Sequence, residues 1–258
     1  DLVQVVHKRC KARFEQIMLE TKVTGIEKSS GGYLVSVEKN GETQKLEFDR
    51  VLVAVGRKPN TEEIGLEQVG IEVNDEGLIE VDQTCRTSAE NIYAIGDITP
   101  GPMLAHKGSR QAKVAAEVIA GHTAAFDNRA IPAVVFTDPE LAWAGLTEEE
   151  AKAAGREVTV GKFPMTALGR GRSIGKTEGF AKILADPETN LVLGVGLVGP
   201  HASDLIAEGA LAIEMGATLE DLMDTIHPHP TLSELLCEAA EVTAGAPIHV
   251  PPPRERKR

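Results

Sequence analysis

The chain has 258 residues, of which 42% are hydrophobic and 26% charged, a length that fits more than one domain. Its 39 acidic and 27 basic residues give a formal net charge of −12, which argues against nucleic acid as a partner. The sequence shows no apolar run long enough for a membrane span and no signal-peptide pattern, so we expect a cytoplasmic protein with no membrane partner.

The first fifty residues predict a helix followed by a small sheet. Apolar residues recur at three- and four-residue spacing from Leu2 to Met18, which predicts an amphipathic helix with Asp1 as its cap. An Asn40-Gly41 pair is a strong hairpin signal. Alternating segments predict strands at Thr21–Glu27, Tyr33–Glu38 and Thr43–Phe48.

The continuous apolar run Asp49–Val55 is typical of a strand that is covered on both faces. It ends at Gly56, and in dinucleotide-binding sheets the ligand lies beyond the carboxyl ends of the strands. A glycine after a strand is also an ordinary turn. The sequence contains no G-x-G-x-x-G and no acidic residue placed to follow one.

Asn91–Asp97 predicts an apolar strand that ends in Gly-Asp, and a helical pattern reaches Ile119 after it. A carboxylate at a strand end can accept hydrogen bonds from sugar-alcohol hydroxyls, and a nearby helix N-terminus offers amides and partial positive charge to an electron-rich ring. The same residues also suit a plain turn followed by a helix cap. The residues alone leave both interpretations open.

From about Ala130 the pattern predicts an α+β unit. Helices are predicted at Glu148–Ala154, Ala202–Met215 and Leu219–Asp224. Strands are predicted at Ala133–Thr137, Ala142–Gly145, Val158–Pro164, Phe180–Ala185 and Leu191–Val198.

Near the C-terminus, His227-Pro228-His229-Pro230-Thr231-Leu232-Ser233-Glu234 places an imidazole and a carboxylate five residues apart. Glu234, at the start of a predicted helix Leu232–Val242, could hold the Nδ1 proton of His229 and leave Nε2 free as a base. Thr231 and Glu234 also have the spacing of a capping box. The spacing does not separate the two roles.

The three cysteines, Cys10, Cys85 and Cys237, are far apart in the sequence. Metal knuckles and redox dithiols need closely spaced pairs. We therefore interpret all three as thiols without a chemical role, and we expect no metal site.

This histidine-proline segment resembles the HxHPTxSE motif of the dihydrolipoamide dehydrogenase family of flavoprotein disulfide reductases. The resemblance implies that His229 is the catalytic acid/base, that Glu234 orients it, and that the His229-Pro230 bond is cis. Residues 91–97 and 101–107 resemble the second FAD motif of that family, IYAxGD followed by GPMLAHK. They imply a ribityl contact from Asp97 and main-chain contacts to the flavin from Met103, Leu104, Ala105 and His106, with no acid/base role for His106.

The strand that ends in GRxPN also resembles this family and implies that Val23 and Gly56 contact NAD. The expected fold is α/β and α+β, with partial NAD-binding and FAD-binding, Rossmann-like regions followed by a dimerisation domain. The predicted boundaries are 1–57 for the NAD-binding part, 58–129 for the central FAD-contacting part, 130–250 for the interface domain and 251–258 for a disordered tail.

By this resemblance the reaction is oxidation of dihydrolipoamide to lipoamide, with FAD and NAD as cofactors. The partners implied are a second copy in a homodimer, whose disulfide His229 serves, and the acyltransferase core of a 2-oxo acid dehydrogenase complex. The family's redox disulfide and first FAD glycines are absent from these residues. We therefore expect the chain alone to be inactive and to bind FAD weakly.

Two alternatives remain open. One is another disulfide reductase of the same superfamily, such as a glutathione reductase, which shares the HPTxSE ending. The other is a dimerisation and docking module for the acyltransferase core, with Asp138, Glu220 and Asp221 as acidic candidates for a basic docking domain.

Overall fold

The computed structural model describes residues 1–251. Its helices are α1 (Leu2–Lys11), α2 (Ala105–Ile119), α3 (Glu148–Ala153), α4 (Gly169–Ser173), α5 (Ala202–Met215), α6 (Leu219–Asp224) and α7 (Glu234–Thr243). Its strands are β1 (Lys22–Lys28), β2 (Tyr33–Lys39), β3 (Glu42–Phe48), β4 (Ala133–Val135), β5 (Glu140–Gly145), β6 (Thr159–Pro164), β7 (Phe180–Ala185) and β8 (Val192–Gly199). Short 3₁₀ turns lie at Leu66–Val69, Gly96–Ile98 and Met165–Ala167.

The first three strands form an antiparallel sheet with β2 in the centre. Val35 and Val37 of β2 point to its buried side. The hairpin to β3 turns at Asn40 and Gly41, whose φ angles of 53° and 82° are the left-handed values that this pair adopts at low cost. The three predicted strands are confirmed, each with ends shifted by at most one residue.

The predicted buried strand at Asp49–Val55 is wrong. These residues have no regular secondary structure, and Leu52 and Val55 are 90% and 92% exposed. A strand of this composition needs neighbours on both sides. Within residues 1–251 no strand pairs with it, so the apolar run stays uncovered.

Helix α1 ends at Lys11, seven residues short of the predicted end at Met18. It lies against β5 and β8, where Leu2 occupies the space over Gly196. Phe14, beyond the helix end, is 59% exposed. Phe14 and Met18 therefore do not pack as one helix face, and their spacing alone does not extend the helix.

The region between residues 58 and 129 is mostly irregular, with α2 as its long helix. The strand predicted at Asn91–Asp97 is reduced to a single bridge between Arg86 and Tyr93, because no second strand of the described chain lies beside it. Two small apolar clusters hold the region together, formed by Ile71, Ile79 and Ala94 and by Cys85, Val114 and Ala115.

The C-terminal region is built on an antiparallel sheet in the order β4-β5-β8-β7-β6. Helix α5 packs on β5 and β8, and α7 packs on β6 and β7. The core between sheet and helices contains Phe163, Ile183 and Leu236, each 0% exposed. The α+β architecture is as predicted, while α4 has no counterpart in the sequence prediction.

Two further sequence predictions concern the C-terminal tail and membrane-spanning helices. Apart from Pro251, the predicted disordered tail lies outside the described residues. Among the helices that the structure describes, none has the length and apolar character needed to span a bilayer.

Candidate functional site

The structure brings His229 and Glu234 together. Nδ1 of His229 lies 2.8 Å from Oε1 of Glu234, and the bond between His229 and Pro230 is cis, as predicted. An ionised carboxylate only accepts hydrogen bonds, so Nδ1 carries the ring proton and Nε2 keeps its lone pair. The His229 side chain is 74% exposed, whereas that of Glu234 is 18% exposed. The pair therefore presents a basic nitrogen to solvent on a carboxylate that is largely buried.

Glu234 also performs half of the capping role that the sequence left open. Its Oε2 accepts a hydrogen bond of 2.8 Å from the Thr231 amide. The Thr231 hydroxyl instead donates to the carbonyl of Pro228 at 2.7 Å, so the reciprocal cap is absent here. Helix α7 begins at Glu234, two residues later than predicted, with Ser233 as its N-cap. One carboxylate thus fixes both the turn and the imidazole.

The surroundings of the pair are rigid on one side and open on the other. Leu235 and Leu236, which follow Glu234, are 2% and 0% exposed and anchor the start of α7 in the core. Gly169, at the start of α4, lies beside the His229 ring, since a Cβ there would be 3.6 Å from Cε1. The ring is therefore held at its Nδ1 edge by Glu234 and flanked by a residue without a side chain.

A second candidate site is the segment formed by Asp97 and residues 103–106, called the FAD segment below. Helix α2 begins after Leu104 and has no side-chain cap bond at its N-terminus, which leaves its first amides open to an acceptor. Asp97 is half-exposed, and its Oδ2 accepts from Nη1 of Arg57 at 3.1 Å. A carboxylate beside uncapped amides is a donor and acceptor set that fits a polyol chain and an electron-rich ring. The residues present therefore fit a flavin.

Three side chains that the sequence did not single out shape the FAD segment. Arg57 also donates from Nη2 to the Met103 carbonyl at 2.6 Å. Gln111, buried on α2, accepts the Gly96 amide at 2.8 Å. Lys107, 1% exposed, donates to the carbonyls of Thr99 and Pro100, both at 3.0 Å. Burial lowers the pKa of Lys107, and nearby Asp97 opposes that change.

Close backbone packing brings the Gly96 turn against α2. Gly96 has φ of +76°, and a Cβ on Gly108 would lie only 3.2 Å from the Gly96 Cα. Lys107 and Gln111 are four residues apart on the same buried helix face, a spacing that was visible in the sequence. Because both side chains are polar, the sequence did not indicate that this face is buried.

The other predicted site residues occupy separate places. Nε2 of His106 lies 2.6 Å from the carbonyl of Pro132, to which it donates, so the ring ties α2 to the segment before β4. Val23 is 54% exposed at a β-bulge in β1. Gly56, with φ of +110°, lies in the irregular segment after β3. The NAD contacts of Val23 and Gly56 stay predictions.

The three cysteines are free thiols, and no two of them are bonded. The described residues hold no group of three potential metal ligands. Burial, and then the charges of Glu241 and Glu238, raises the pKa of Cys237 to about 11 from an ordinary value of 9.0.

We predict that Cys237 reacts slowly with iodoacetamide. At pH 8 a thiol of this pKa has about a hundredfold less thiolate than an unperturbed one, and the thiolate is the reactive form. Alkylation followed by mass spectrometry should therefore be on the order of a hundredfold slower for Cys237 in the folded chain than for the same residue in urea. Equal rates in the two conditions would contradict the raised pKa of Cys237.

Two family models match the chain, one in each half. The family model described as pyridine nucleotide-disulphide oxidoreductase matches residues 2–112. The model of that family's dimerisation domain matches residues 131–240. The first match contains the three-stranded sheet, and the second contains the five-stranded sheet with its helices.

Curated relatives are similar over nearly the whole chain. A dihydrolipoyl dehydrogenase of Geobacillus stearothermophilus is 51% identical over 249 residues, which is 96% of this chain and 53% of the relative. One of Halobacterium salinarum is 52% identical over 219 residues, covering 85% of this chain and 46% of the relative. The chain thus spans about half the length of the curated relatives it matches.

Solved structures have the same fold. LpdA from Mycobacterium tuberculosis matches with a TM-score of 0.86 and 29% identity, over 93% of this chain and 52% of that one. The HOCl-induced flavoprotein disulfide reductase RclA from Escherichia coli matches with a TM-score of 0.83 and 28% identity, over 94% and 55% of the two chains. The two family models, the relatives of about 50% identity and these structures all indicate the same family. The chain belongs to the pyridine nucleotide-disulphide oxidoreductase family.

Proposed function

We propose that this chain supplies the acid/base pair, the FAD segment and the dimerisation domain of a dihydrolipoyl dehydrogenase. The observation that carries the proposal is the contact of 2.8 Å between His229 and Glu234 on the proline turn. Relatives of about 50% identity that bear this name support it.

The reaction needs a base because its substrate is a dithiol. A free thiol is only a few per cent thiolate at neutral pH, and the thiolate is the form that attacks a disulfide. Nε2 of His229 accepts one thiol proton, while Glu234 holds Nδ1–H and stabilises the imidazolium that results. The substrate loses two electrons and two protons as it closes to lipoamide. NAD⁺ takes up the electrons with one proton as hydride, and the other proton is released.

FAD, when bound, carries the two electrons between a protein disulfide and NAD. In this chain Asp97 would accept hydrogen bonds from the ribityl hydroxyls, and the amides at the start of α2 would face the pyrimidine edge of the ring. Arg57, Lys107 and Gln111 would hold these groups in place. Val23 and Gly56 are the proposed NAD contacts.

The proposed enzyme is a homodimer in which His229 serves the disulfide of the partner subunit. The exposure of His229 supports this arrangement, as does Ile226, an apolar residue three positions earlier that is 95% exposed. A match to a dimerisation domain across residues 131–240 supports it as well. A second copy placed on this surface would complete a cleft around the imidazole.

Docking to an acyltransferase core and a cytoplasmic location also belong to the proposal. Of the three acidic candidates, Asp138 forms an ion pair of 2.6 Å with Arg9. Asp221 accepts the Thr218 amide at 2.7 Å in the capping box of α6. Glu220 is therefore the candidate whose carboxylate is least engaged in contacts within the chain.

The proposal can be tested by joining this chain to the part of the Geobacillus stearothermophilus relative that it does not cover, a fusion called the completed enzyme below. We expect it to bind FAD, to dimerise and to oxidise dihydrolipoamide with NAD, while the 258-residue chain alone shows no turnover. Glutathione disulfide, as a second substrate, checks the glutathione reductase alternative. A yellow dimer that lacks lipoamide activity would contradict the proposal.

A further inference from the structure

The turn that carries His229 contains a second histidine in the opposite environment. The His227 side chain is 7% exposed, against 74% for His229. Nδ1 of His227 lies 2.8 Å from the carbonyl of Thr225, and Nε2 lies 2.7 Å from Oε1 of Glu208. Both nitrogens are therefore engaged, and neither is available to a substrate.

The two contacts define the hydrogens on this ring. A carbonyl oxygen only accepts, so Nδ1 carries a proton. A carboxylate oxygen faces Nε2, so a proton also lies on that axis, and an ion pair results when it stays on the imidazole. Such charge-assisted bonds are short and directional. His227 is thus bound at both ring nitrogens and acts as a clamp rather than a base.

The clamp joins parts of the fold that lead into the turn. Thr225 is the C-cap residue of α6, and Glu208 lies in α5. That helix is fixed against β8, where a Cβ on Gly209 would meet Val195 at 2.9 Å. His227 therefore ties the entry of the turn to two packed helices.

The exit of the turn is tied separately. The Thr231 amide donates to Glu234, and the Thr231 hydroxyl donates back to the Pro228 carbonyl. His229 lies between the two anchors. Its Nε2 position is consequently set from both sides, and the upstream side depends on His227 and Glu208.

We propose that His227 and Glu208 are positioning residues for His229, an inference that rests on the proposed function of the pair with Glu234. A catalytic group displaced by about 1 Å can lose on the order of a hundredfold in rate. Loss of the clamp frees the entry of the turn while leaving the His229–Glu234 contact itself intact.

The test measures how fast dihydrolipoamide reduces the completed enzyme, per bound FAD, without NAD. We expect His227→Ala to lower this rate about tenfold to hundredfold, with no change in the dihydrolipoamide concentration that gives half the maximal rate. His227→Gln, which retains an N–H donor for Glu208, should recover part of the loss. The matched control is His249→Ala, because His249 forms an imidazole–carboxylate contact with Glu238 away from the turn; its rate should not change.

A purely structural role would lower the melting temperature or the FAD content but leave the rate per bound FAD intact, and that result would overturn the inference. His229→Gln in the same assay separates the two proposals. If it retains full rate, the proposed function fails; if it loses rate while His227→Ala does not, only the clamp fails.

Nitrogen-15 NMR of the histidines in the 258-residue chain gives a readout that needs no activity. We expect Nδ1 of His227 to show the shift of a protonated nitrogen, because it faces the Thr225 carbonyl. An unprotonated Nδ1 in the unaltered chain would overturn the clamp geometry.

Discussion

Replacing His229 with glutamine is expected to lower kcat for dihydrolipoamide oxidation by about 10²- to 10⁴-fold, the contribution usual for a general base. Glutamine fills similar space and still can hydrogen-bond Glu234, but it cannot accept a thiol proton. The measurement is steady-state turnover of the completed enzyme, normalised to bound FAD.

Two further variants show whether that loss comes from the proposed pair. Glu234→Gln should reduce kcat less than His229→Gln, because it removes the charge that orients the ring but leaves the base. His122→Gln replaces an exposed histidine after α2 and should have no effect. Full turnover of the His229 variant, with FAD bound and the dimer intact, would refute a role for this imidazole in proton transfer.

Much of the fold follows from short-range patterns. Alternation and an Asn-Gly turn define β1 to β3, and three- and four-residue apolar spacing defines α5 and α7, because each element buries one face. The His229–Glu234 contact is equally local. Five residues and a proline turn suffice to bring the two groups together, so the sequence could predict it.

The longer contacts could not be predicted in the same way. Glu208 and His227 are 19 residues apart, and Arg57 and Asp97 are 40 apart. Their pairing depends on how α5 packs on β8 and how the Gly96 turn packs on α2. Periodicity specifies which face of an element is apolar, but it does not specify which charged residue on another element will meet it.

The two wrong strand predictions have a common physical cause. Asp49–Val55 and Asn91–Asp97 have the composition of buried strands, but a strand exists only with a hydrogen-bonded neighbour. Among residues 1–251 neither segment has one beyond the bridge at Tyr93. The composition of a segment therefore indicates a tendency to form a buried strand. It does not show that a neighbouring strand is present to pair with these residues.

Leu236→Ala is expected to have the largest effect on stability, lowering the free energy of unfolding by about 2–5 kcal/mol. Leu236 is 0% exposed and packs in the main core, so truncation removes buried apolar surface and leaves a cavity. It lies on α7, two positions after Glu234, so a loosened helix should also weaken the contact with His229. Urea unfolding of the chain, followed by circular dichroism, measures the change.

Leu211→Ala is the matched control, because the same substitution on helix α5 affects a side chain that is 60% exposed. It should change the unfolding free energy by no more than about 0.5 kcal/mol. The difference between the two variants isolates burial from helix propensity, since both replace leucine with alanine within a helix. Equal shifts in the urea midpoint would mean that α7 does not anchor the turn through the core, and the rigidity ascribed to Glu234 would then need another source.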